Sequence, residues 1–300
     1  MSKTYAVIVT YNPDLPILRN QILAVKDSVG VVIIDNLSAN VANIAEMIAE
    51  LGLQDLHLLC NDSNVGLATA QNQGIAKAKI LNASHVIIFD QDSIPEKDMV
   101  KELLRAESIL LSRGEKVGAV GPLTYDPLTL VEYPITKYRG PMIQRYHPVG
   151  GEITEASFII ASGSLVRMSV LDNVGAMLDE LFIDYIDVEW CYRAQARGYT
   201  LFVSADARMS HMVGDQRVKF FGRSISQHSP LRRYYLTRNS FLVLRLNHIP
   251  VGYKLREISL NFARFLAFFY FSNERKKYLK YVGKAIRDGL SGNFGKIRGM

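Results

Sequence analysis

Short apolar runs alternate with longer stretches of helical periodicity over the first 121 residues of the chain. The apolar runs predict strands at 6–10, 31–35, 56–60, 85–90 and 117–121. The periodic stretches predict helices at 15–28, 41–52, 66–81 and 96–112. Alternating strands and helices form βαβ units, which build a parallel sheet through right-handed crossovers. We therefore predict an α/β fold with a mostly parallel central sheet flanked by helices.

The strand predicted at 85–90 ends in two acidic residues, within SHVIIFDQDSIP. Its consecutive apolar positions are typical of a strand buried on both faces. Because side chains alternate along a strand, Asp90 and Asp92 point the same way, at the strand end where open α/β sheets bind ligands. Two such close negative charges favour a nearby cation, and Mg²⁺ and Mn²⁺ prefer carboxylate and phosphate oxygens. The alternative is that Asp92 and Ser93 begin the next helix, with one of them as its N-cap.

Two other predicted strands also end in polar residues. These residues are Thr10, Tyr11, Asn12, Asp35 and Asn36. In a parallel sheet they line one crevice together with Asp90.

The segment NVGLATAQNQG at 64–74 follows the third predicted strand. Asn64 can cap the next helix, Gly66 allows close approach of the backbone, and Asn72 lies two turns further on. A helix of small residues packed on the sheet is the alternative interpretation. The fingerprints G-x-G-x-x-G and G-x-x-x-x-G-K-[ST] are both absent, so the pattern gives no support to a nicotinamide cofactor or to ATP hydrolysis.

Composition limits the class of protein. The 300 residues are 48% hydrophobic and 21% charged, which is enough apolar content for a packed core. Cys60 and Cys191 lie far apart without C-x-x-C spacing. This predicts two buried thiols in a reducing compartment, and neither a disulfide nor a zinc site. The apolar run at the N-terminus is too short for a signal peptide, so we expect the protein to stay in the cytoplasm.

The net charge of +6 is unevenly distributed along the chain. Residues 217–300 contain 18 Lys/Arg and 3 Asp/Glu, a balance of +15, whereas residues 1–216 contain 17 and 26, a balance of −9. With the periodicity, this predicts a body over 1–228 and a basic, aromatic-rich helical tail over 229–300. Nucleic acid and an anionic membrane are the two partners to weigh for such a tail.

The tail contains the apolar segment ISLNFARFLAFFYF, which Arg264 interrupts. The segment is shorter than the roughly 20 apolar residues that a membrane-spanning helix needs. Basic residues flank it, namely Lys254, Arg256, Arg275, Lys276, Lys277 and Lys280. We therefore predict an interfacial helix on an anionic membrane surface. The alternatives are a helical pair packed on the body and a homodimer interface.

Taken in order, the polar segments resemble a known family. The segments are VIVTYNP, IIDN, NVGLATAQNQG, FDQD, FIDYIDVEWCYRAQARGY, ARMSHMVGD and SPLRRYYLTRN, within residues 5–240. They resemble the family 2 glycosyltransferases, which have the GT-A fold. The form DQDS, the pattern D-Y-x-D-x-E-W-C and the basic aromatic tail are most similar to the bacterial rhamnosyltransferases of that family. Those enzymes build surface polysaccharides (O-antigen, capsule or rhamnan) from dTDP-L-rhamnose.

The resemblance implies a nucleotide-sugar site at the strand ends. Asp35 would accept a hydrogen bond from the nucleobase, with Tyr11 packed nearby, although a turn or N-cap role is the alternative. Asp90 would contact the ribose or a metal, and Asp92 and His211 would be metal ligands, unless His211 is a structural histidine. The other residues expected to bind the nucleotide sugar are Thr10, Asn12, Asn64, Gly66, Asn72, Gln91 and Arg233. Carboxylate and imidazole ligands together favour Mn²⁺ slightly over Mg²⁺.

An inverting sugar transfer also needs a base for the acceptor hydroxyl. The resemblance aligns Asp187, within DYIDVEW, with the base of the family. Here Ile186 replaces the acid that usually precedes this base, which leaves Asp184 as a competing candidate.

Neighbouring residues are candidates for contacts with the acceptor or with phosphate. Glu189 would bind acceptor hydroxyls or pair with Arg193 one turn later. Trp190 would stack on a sugar or belong to the core. The resemblance also implies that arginines of the predicted helix in SPLRRYYLTRN, namely Arg232, Arg233 and Arg238, meet the donor diphosphate or the phosphate of an acceptor lipid.

We therefore expect a metal-dependent inverting glycosyltransferase, which moves L-rhamnose from dTDP-L-rhamnose to a polyprenyl-diphosphate-linked glycan at the inner face of the cell membrane. A UDP- or GDP-sugar is the alternative donor. A sugar nucleotidyltransferase would share the sheet and the acidic site, but it needs a glycine-rich basic loop where this chain has TYNPDLP. Nucleic-acid binding would explain only the tail, and no recognised nucleic-acid motif occurs, so we expect no nucleic-acid partner.

Overall fold

The computed structural model describes residues 3–140, 142–211, 217–220, 223–226, 229–271 and 274–299. Its strands are β1 (Thr4–Thr10), β2 (Gly30–Asp35), β3 (Leu56–Cys60), β4 (His85–Asp90), β5 (Ile94–Pro95), β6 (Val117–Tyr125), β7 (Ile135–Arg139), β8 (Met142–Tyr146), β9 (Ile153–Ala156), β10 (Leu165–Arg167), β11 (Thr200–Ser210), β12 (Arg217–Phe220) and β13 (Arg223–Ser226). Its helices are α1 (Leu15–Val25), α2 (Val41–Leu51), α3 (Leu67–Ile80), α4 (Met99–Ser112), α5 (Met168–Val174), α6 (Ile186–Ala196), α7 (Pro230–Arg245), α8 (Val251–Phe271) and α9 (Arg275–Ser291), and a 3₁₀ turn lies at Asp179–Leu181.

A mixed sheet forms the centre of the molecule. Its strand order is β3-β2-β1-β4-β10-β6-β11-β5, and β9 also pairs with β11. Strands β3, β2, β1 and β4 are parallel to one another, as are β6 and β11, whereas β10 runs antiparallel between β4 and β6. The prediction of a mostly parallel sheet is confirmed. As a result, the carboxyl ends of β1, β2, β4 and β11 lie at the same edge.

Apolar side chains cover both faces of this sheet. All seven residues of β1 and all six of β2 are buried. Because successive side chains alternate, Val7 and Val9 join a core with α3, whereas Ala6 and Ile8 join a core with α1 and α4. A Cβ added at Gly74 of α3 would overlap Val7, so the small residues of α3 allow it to lie directly on β1.

Helix α4 begins later than predicted. It starts at Met99, and its N-cap is Asp98. Residues Ile94–Pro95 form β5 instead, which pairs with β11. Asp92 and Ser93 therefore precede a strand, and the alternative that one of them caps the helix is wrong.

The tail helices pack on the body through the segment that precedes α6. On α7, Asn239 donates from Nδ2 to the carbonyl oxygens of Leu181 at 2.8 Å and Ile183 at 2.7 Å. Residue 228, where the predicted division between body and tail falls, lies outside the described residues. In the ranges that the structure describes, no helix combines the length and the apolar character needed to cross a membrane.

The two cysteines lie in different environments. Cys191 is buried in α6, but Cys60 is exposed at the end of β3. The prediction of a buried thiol is wrong for Cys60 because β3 is the outermost strand on its side of the sheet.

Candidate functional site

The three predicted metal ligands lie together at the carboxyl edge of the sheet. Asp90 is the last residue of β4, Asp92 lies in the turn that follows, and His211 comes directly after β11. One ligand atom from each residue lies within 4.8 Å of the other two. The pairing of β5 with β11 brings His211 beside the turn. Residues 212–215 of the same sequence motif lie outside the described residues.

Two buried serines connect these ligands. Ser162 Oγ accepts a hydrogen bond from the Asp90 N–H at 3.1 Å and donates to Ser93 Oγ at 2.8 Å. Ser93 Oγ in turn lies 2.8 Å from Nδ1 of His211. Sequence reasoning missed this network because Ser162 lies 72 residues from Asp90 along the chain. The signal that was available is the position of Ser93 directly after the acidic pair.

Gln21 of α1 fixes the backbone of the same turn. Its Nε2 donates to the carbonyl oxygens of Asp90 at 2.7 Å and Ser93 at 2.5 Å. Gln21 is fully buried. Its sequence signal, which was missed, is a polar residue on the side of α1 that is otherwise formed by the apolar residues Leu18, Ile22 and Val25. The buried side chain of Gln21 therefore fixes the backbone of the turn that carries Asp92.

Burial and neighbouring acids raise the pKa of two carboxyl groups at this edge, Asp90 and Asp187. Burial and the charge of Asp92 raise the pKa of Asp90 to about 6, and the Arg232 guanidinium offsets part of this rise. Burial, together with the charges of Asp90 and Asp184, raises the pKa of Asp187 to about 6, although the backbone N–H of the next residue opposes the rise. Of the two predicted bases, Asp187 thus lies in the electrostatic field of the predicted metal ligand Asp90. Such a concentration of negative charge is typical of a site that binds a cation.

A strained segment positions the two candidate bases. The backbone φ is positive at Phe182 (63°), Asp184 (66°) and Tyr185 (65°). Such conformations cost about 1–2 kcal/mol for each residue other than glycine. Tyr185 is also the N-cap of α6, so Asp187 lies in the first turn of that helix. A conformation of this cost persists where surrounding contacts hold it in place.

Side chains from the tail hold this segment. Arg232 of α7 pairs with Asp184 at 3.0 Å. The Tyr185 hydroxyl donates to Glu257 Oε1 of α8 at 2.9 Å, and Glu257 also pairs with Arg264 at 2.7 Å. Side chains of α7 and α8 therefore form part of the candidate site.

The predicted nucleobase residue lies at the end of β2. Asp35 is 1% exposed and accepts hydrogen bonds from Thr10 Oγ1 at 2.9 Å and from the Ser38 N–H at 2.8 Å. Asn12 Oδ1 accepts from the Ala39 N–H at 2.8 Å. These hydrogen bonds join the ends of β1 and β2. They agree with the alternative interpretation, in which Asp35 stabilises a turn. A contact of Asp35 with a base stays a prediction.

Tyr11 and Gln91 form the rim beside this pair of strands. Gln91 Oε1 accepts from the Tyr11 N–H at 2.7 Å, and Gln91 Nε2 donates to the Tyr11 carbonyl at 3.3 Å. The Tyr11 side chain is 51% exposed. The structure thus fixes the backbone of Tyr11 and leaves its ring open to solvent.

Asn64 and Gly66 lie where α3 begins. Helix α3 starts at Leu67 with Gly66 as its N-cap, so the prediction that Asn64 caps it is wrong. Asn64 Oδ1 accepts instead from Asn36 Nδ2 at 3.1 Å and from the Gly66 N–H at 3.0 Å. Gly66 has a φ of +92°, and a Cβ there would overlap the Phe182 ring. Glycine is therefore required at this close approach.

Asn72 binds the segment that leads to the 3₁₀ turn. Its Nδ2 donates to the Met177 carbonyl at 2.9 Å and to Asp179 Oδ1 at 2.8 Å, and its Oδ1 accepts from the Met177 N–H at 2.8 Å. These bonds give Asn72 a structural role. Its contact with a nucleotide sugar stays a prediction.

Glu189 and Trp190, the two residues predicted to contact the acceptor, are buried and have partners within the protein. Glu189 is 1% exposed and accepts two hydrogen bonds from Arg193, at 2.9 and 2.8 Å. Trp190 is 3% exposed, and its Nε1 donates to the Gly175 carbonyl at 2.9 Å. Both lie on the side of α6 that packs into the protein. The core and ion-pair alternatives therefore describe these two residues.

Arg233, which is predicted to contact the donor, is also buried. Arg233 is 1% exposed, and this burial lowers its pKa beside the Tyr278 hydroxyl of α9. Its neighbour Arg232 has a side chain that is 41% exposed and faces Asp184. Successive residues of a helix point about 100° apart, so one of the pair faces the site while the other faces the core.

Known proteins resemble this chain along nearly its whole length. The family model described as Glycosyl transferase family 2 matches residues 5–175. The chain is 35% identical over 294 residues to the dTDP-rhamnosyl transferase RfbF of Shigella flexneri, covering 97% of this chain and 96% of that protein.

Solved structures share the fold at low identity. The crystal structure of GalNAc-T7 with UDP, GalNAc and Mn²⁺ matches with a TM-score of 0.59 and 14% identity, over 96% of this chain and 58% of that one, so this chain spans little more than half of that protein. The crystal structure of S. aureus TarS 1-349 with UDP-GlcNAc matches with a TM-score of 0.56 and 14% identity, over 96% of this chain and 81% of that one. The mannosyltransferase PcManGT from Pyrobaculum calidifontis, with GDP-Man and Mn²⁺, also matches with a TM-score of 0.56 and 14% identity, over 96% of this chain and 75% of that one. The predicted GT-A fold is confirmed.

Proposed function

The chain belongs to glycosyl transferase family 2, and we propose that it transfers L-rhamnose from dTDP-L-rhamnose to a lipid-linked glycan of a bacterial surface polysaccharide. One observation carries the choice of donor, namely the similarity to the Shigella dTDP-rhamnosyl transferase over almost the full length of both chains. The cluster of Asp90, Asp92 and His211 supports a metal-dependent reaction at the edge of the sheet.

The residues of this cluster fit Mn²⁺ or Mg²⁺. Two carboxylates with one imidazole form a donor set that suits either ion, with a slight preference for Mn²⁺. Burial and the charge of Asp92 raise the pKa of Asp90 to about 6, so a positive charge at this place would relieve their repulsion. A cation bound there would neutralise the negative charge of the diphosphate leaving group, which is worth several kcal/mol of the reaction barrier.

We propose that the nucleoside binds at the ends of β1 and β2. The bonds from Thr10 and Ser38 orient the Asp35 carboxylate at the base of this crevice. The exposed ring of Tyr11 offers a face on which a base can stack, and Gln91 holds the Tyr11 backbone in place. The remaining contacts of this site are assigned to Asn12, Asn64, Gly66 and Asn72.

Asp187 is the proposed base. The acceptor hydroxyl attacks C1 of the sugar while the bond from C1 to the diphosphate oxygen breaks, the hydroxyl proton passes to the Asp187 carboxylate, and dTDP leaves. A pKa of about 6 keeps Asp187 ionised at neutral pH yet makes it more basic than an ordinary carboxylate. Asp184 is the weaker candidate because Arg232 pairs with it at 3.0 Å.

Arg232 is the proposed cation for the donor diphosphate, in place of the buried Arg233. Its guanidinium lies close enough to Asp90 to lower the pKa of that acid. A diphosphate bound at the acidic cluster would therefore compete with Asp184 for Arg232. This exchange would free Asp184 only when the donor is present.

The proposed acceptor is a polyprenyl-diphosphate-linked glycan. Such a lipid lies in the membrane, so we propose that the enzyme works from the cytoplasm at the inner face of the cell membrane. The balance of +15 in residues 217–300 supports contact with an anionic surface.

Calorimetric titration with nucleotide sugars, with and without Mn²⁺, tests this function. We expect metal-dependent binding of dTDP-L-rhamnose that Asp92→Ala removes. Glu115→Ala is the matched control, because this exposed acid precedes β6 at the opposite edge of the sheet. Preference for a UDP- or GDP-sugar would keep the enzyme class and contradict rhamnose as the donor. No binding of any nucleotide sugar with metal present would contradict the proposed function.

A further inference from the structure

Helix α8 exposes a row of large apolar side chains. The helix has 21 residues, which span about 31 Å. We name as the apolar stripe six of its side chains that are 40% to 69% exposed: Val251, Leu255, Ile258, Phe262, Leu266 and Phe269. They recur at intervals of three or four residues and therefore lie along one side of the helix. Together they leave several hundred Å² of apolar surface, on the order of the largest patch of a typical monomer.

Three charged residues of α8, Arg256, Glu257 and Arg264, contact the protein. Glu257 is 3% exposed and pairs with Arg264 at 2.7 Å, and Arg256 lies 5.3 Å from the centre of the Tyr138 ring. Among the α8 side chains that the structure describes, none of the exposed ones carries a charge. A helix that faces water has the opposite arrangement. The outer side of α8 is therefore suited to contact with an apolar medium.

A group of exposed basic side chains adjoins one end of the stripe. We name as the basic group the four side chains that open α9: Arg275, Lys276, Lys277 and Lys280. The Arg275 guanidinium lies 5.9 Å from the centre of the Phe269 ring and donates to the Tyr270 carbonyl at 3.2 Å. Glu274, which lies 3.3 Å from Lys277, offsets one of these charges. The stripe and the basic group therefore form one continuous surface.

We propose that the apolar stripe and the basic group dock the protein onto an anionic lipid surface. An apolar helix face enters the boundary between headgroups and acyl chains, while adjacent lysines and arginines attract lipid phosphates. The charge favours this occupant over a second copy of the chain, because residues 217–300 carry a balance of +15 and two such tails would repel each other. The inference rests on the proposed function only for the identity of the lipid-linked acceptor.

Docking through α8 would bring the proposed base close to the membrane. The inner side of α8 contacts Tyr185 through Glu257 at 2.9 Å, and Tyr185 caps the helix whose first turn carries Asp187. One helix diameter, about 10 Å, thus separates the lipid surface from this segment. An acceptor headgroup can then reach Asp187 while its lipid stays in the bilayer.

Sedimentation of the full-length protein with lipid vesicles tests the proposal. We expect binding to vesicles of phosphatidylcholine mixed with phosphatidylglycerol, and at least tenfold weaker binding to phosphatidylcholine alone. Phe262→Glu in the stripe and the double change Lys276→Glu with Lys277→Glu should each reduce binding at least tenfold. The matched controls are Ile80→Glu and Lys101→Glu, both exposed on other helices, and they should bind like the unaltered protein.

Two outcomes would overturn the proposal. One is that the unaltered protein does not bind the anionic vesicles, or that Phe262→Glu binds them equally well. The other is a dimer in solution that Phe262→Glu dissociates, without vesicle binding, which would make the stripe an interface between copies. Binding of dTDP-L-rhamnose should be the same in the stripe variant and the unaltered protein. Its absence from both would count against the proposed function and leave the docking result standing.

Discussion

Acidic side chains withdrawn from solvent occur in two regions of this protein, partly buried at the edge of the sheet and fully buried in the tail, and their partners differ. At the carboxyl edge of the sheet, Asp90 and Asp187 have no ion-pair partner among the described residues, and both have a pKa raised to about 6. In the tail, Glu257 pairs with Arg264 at 2.7 Å, and Asp288 accepts a hydrogen bond from the Tyr234 hydroxyl at 2.7 Å. A fold normally pairs the charges that it buries, because an unpaired buried charge is costly. Uncompensated acids therefore indicate a ligand, whereas compensated acids indicate structure.

Loss of a proposed metal ligand should have the largest effect. We expect Asp92→Ala to lower the transfer rate about 10⁴-fold, since the charge stabilisation that it removes amounts to several kcal/mol. Release of dTDP from dTDP-L-rhamnose measures this rate. Asp92 is exposed, so the thermal unfolding midpoint should stay within a few degrees of the unaltered protein. A rate close to that of Glu115→Ala would show that the acidic cluster does not serve the reaction.

Loss of the proposed base should have the next largest effect. We expect Asp187→Asn to lower kcat about 10³-fold, the scale of general base catalysis, while the metal-dependent affinity for the donor stays the same. Single-turnover kinetics with saturating donor separates these two quantities. Asp184→Asn is the paired variant, and a larger loss in it than in Asp187→Asn would transfer the role of base to Asp184.

The same Asp187→Asn change should stabilise the metal-free fold. A carboxyl with a higher pKa in the folded than in the unfolded chain makes stability fall as the pH rises, here from about 4, the unfolded value, to the folded value of about 6. Removing this carboxyl should therefore add about 2 kcal/mol to the free energy of unfolding at neutral pH and nothing below about pH 4. Urea titrations in the presence of a chelator measure the difference. A loss of stability at neutral pH would contradict an uncompensated Asp187.

The corresponding change in the tail should have the opposite sign. Burial opposes ionisation of Asp288, but the Tyr234 hydroxyl and Lys284 lower its pKa below the ordinary value. A lowered folded pKa gives stability that is present above about pH 4 and disappears as the pH falls through the folded value. Asp288→Asn should therefore cost about 1 kcal/mol at neutral pH in the same urea titration. A gain in stability would erase the contrast between the two regions.

The contact that joins the two regions should give the smallest effect. Tyr185→Phe removes the hydrogen bond to Glu257, and we expect kcat to fall roughly fivefold, about 1 kcal/mol, because the segment that carries both candidate bases loses one support. Tyr192→Phe on α6 is the matched control, since its buried hydroxyl has no hydrogen-bond partner in the part of the chain that the structure describes. Equal kcat values in these two variants would show that the contact between Tyr185 and the tail does not affect catalysis.

The sequence predicted the elements that depend on local pattern. Consecutive apolar residues identified β1, β2 and β4, and the polar residues after them identified the edge where Asp35, Asp90 and Asp92 lie. Pattern is sufficient there, because a parallel sheet brings all its strand ends to one edge whatever the details of packing. The family resemblance added His211, which no local pattern connects to Asp90.

Packing decided the rest of the candidate site. The sequence assigned the donor contact to Arg233, but the packing of α7 buries Arg233 and leaves Arg232 beside Asp184. It assigned Glu189 and Trp190 to the acceptor, although the packing of α6 buries both. It also missed Gln21, Ser93 and Ser162, whose hydrogen bonds connect parts of the chain that are remote in sequence.

By itself, then, the sequence determined the order of β1 to β4 and α1 to α3 and the acids at the strand ends, since alternation and charge are properties of neighbouring residues. Only the tertiary structure decided which acids are compensated. Asp187 stays uncompensated while Glu257 is paired, although both are acidic residues. The difference arises because Arg264 lies two turns further along α8 and reaches Glu257 at 2.7 Å, whereas the charges that act on Asp187 are those of Asp90 and Asp184. Charge compensation is a property of distance in space, and the folded chain alone sets that distance.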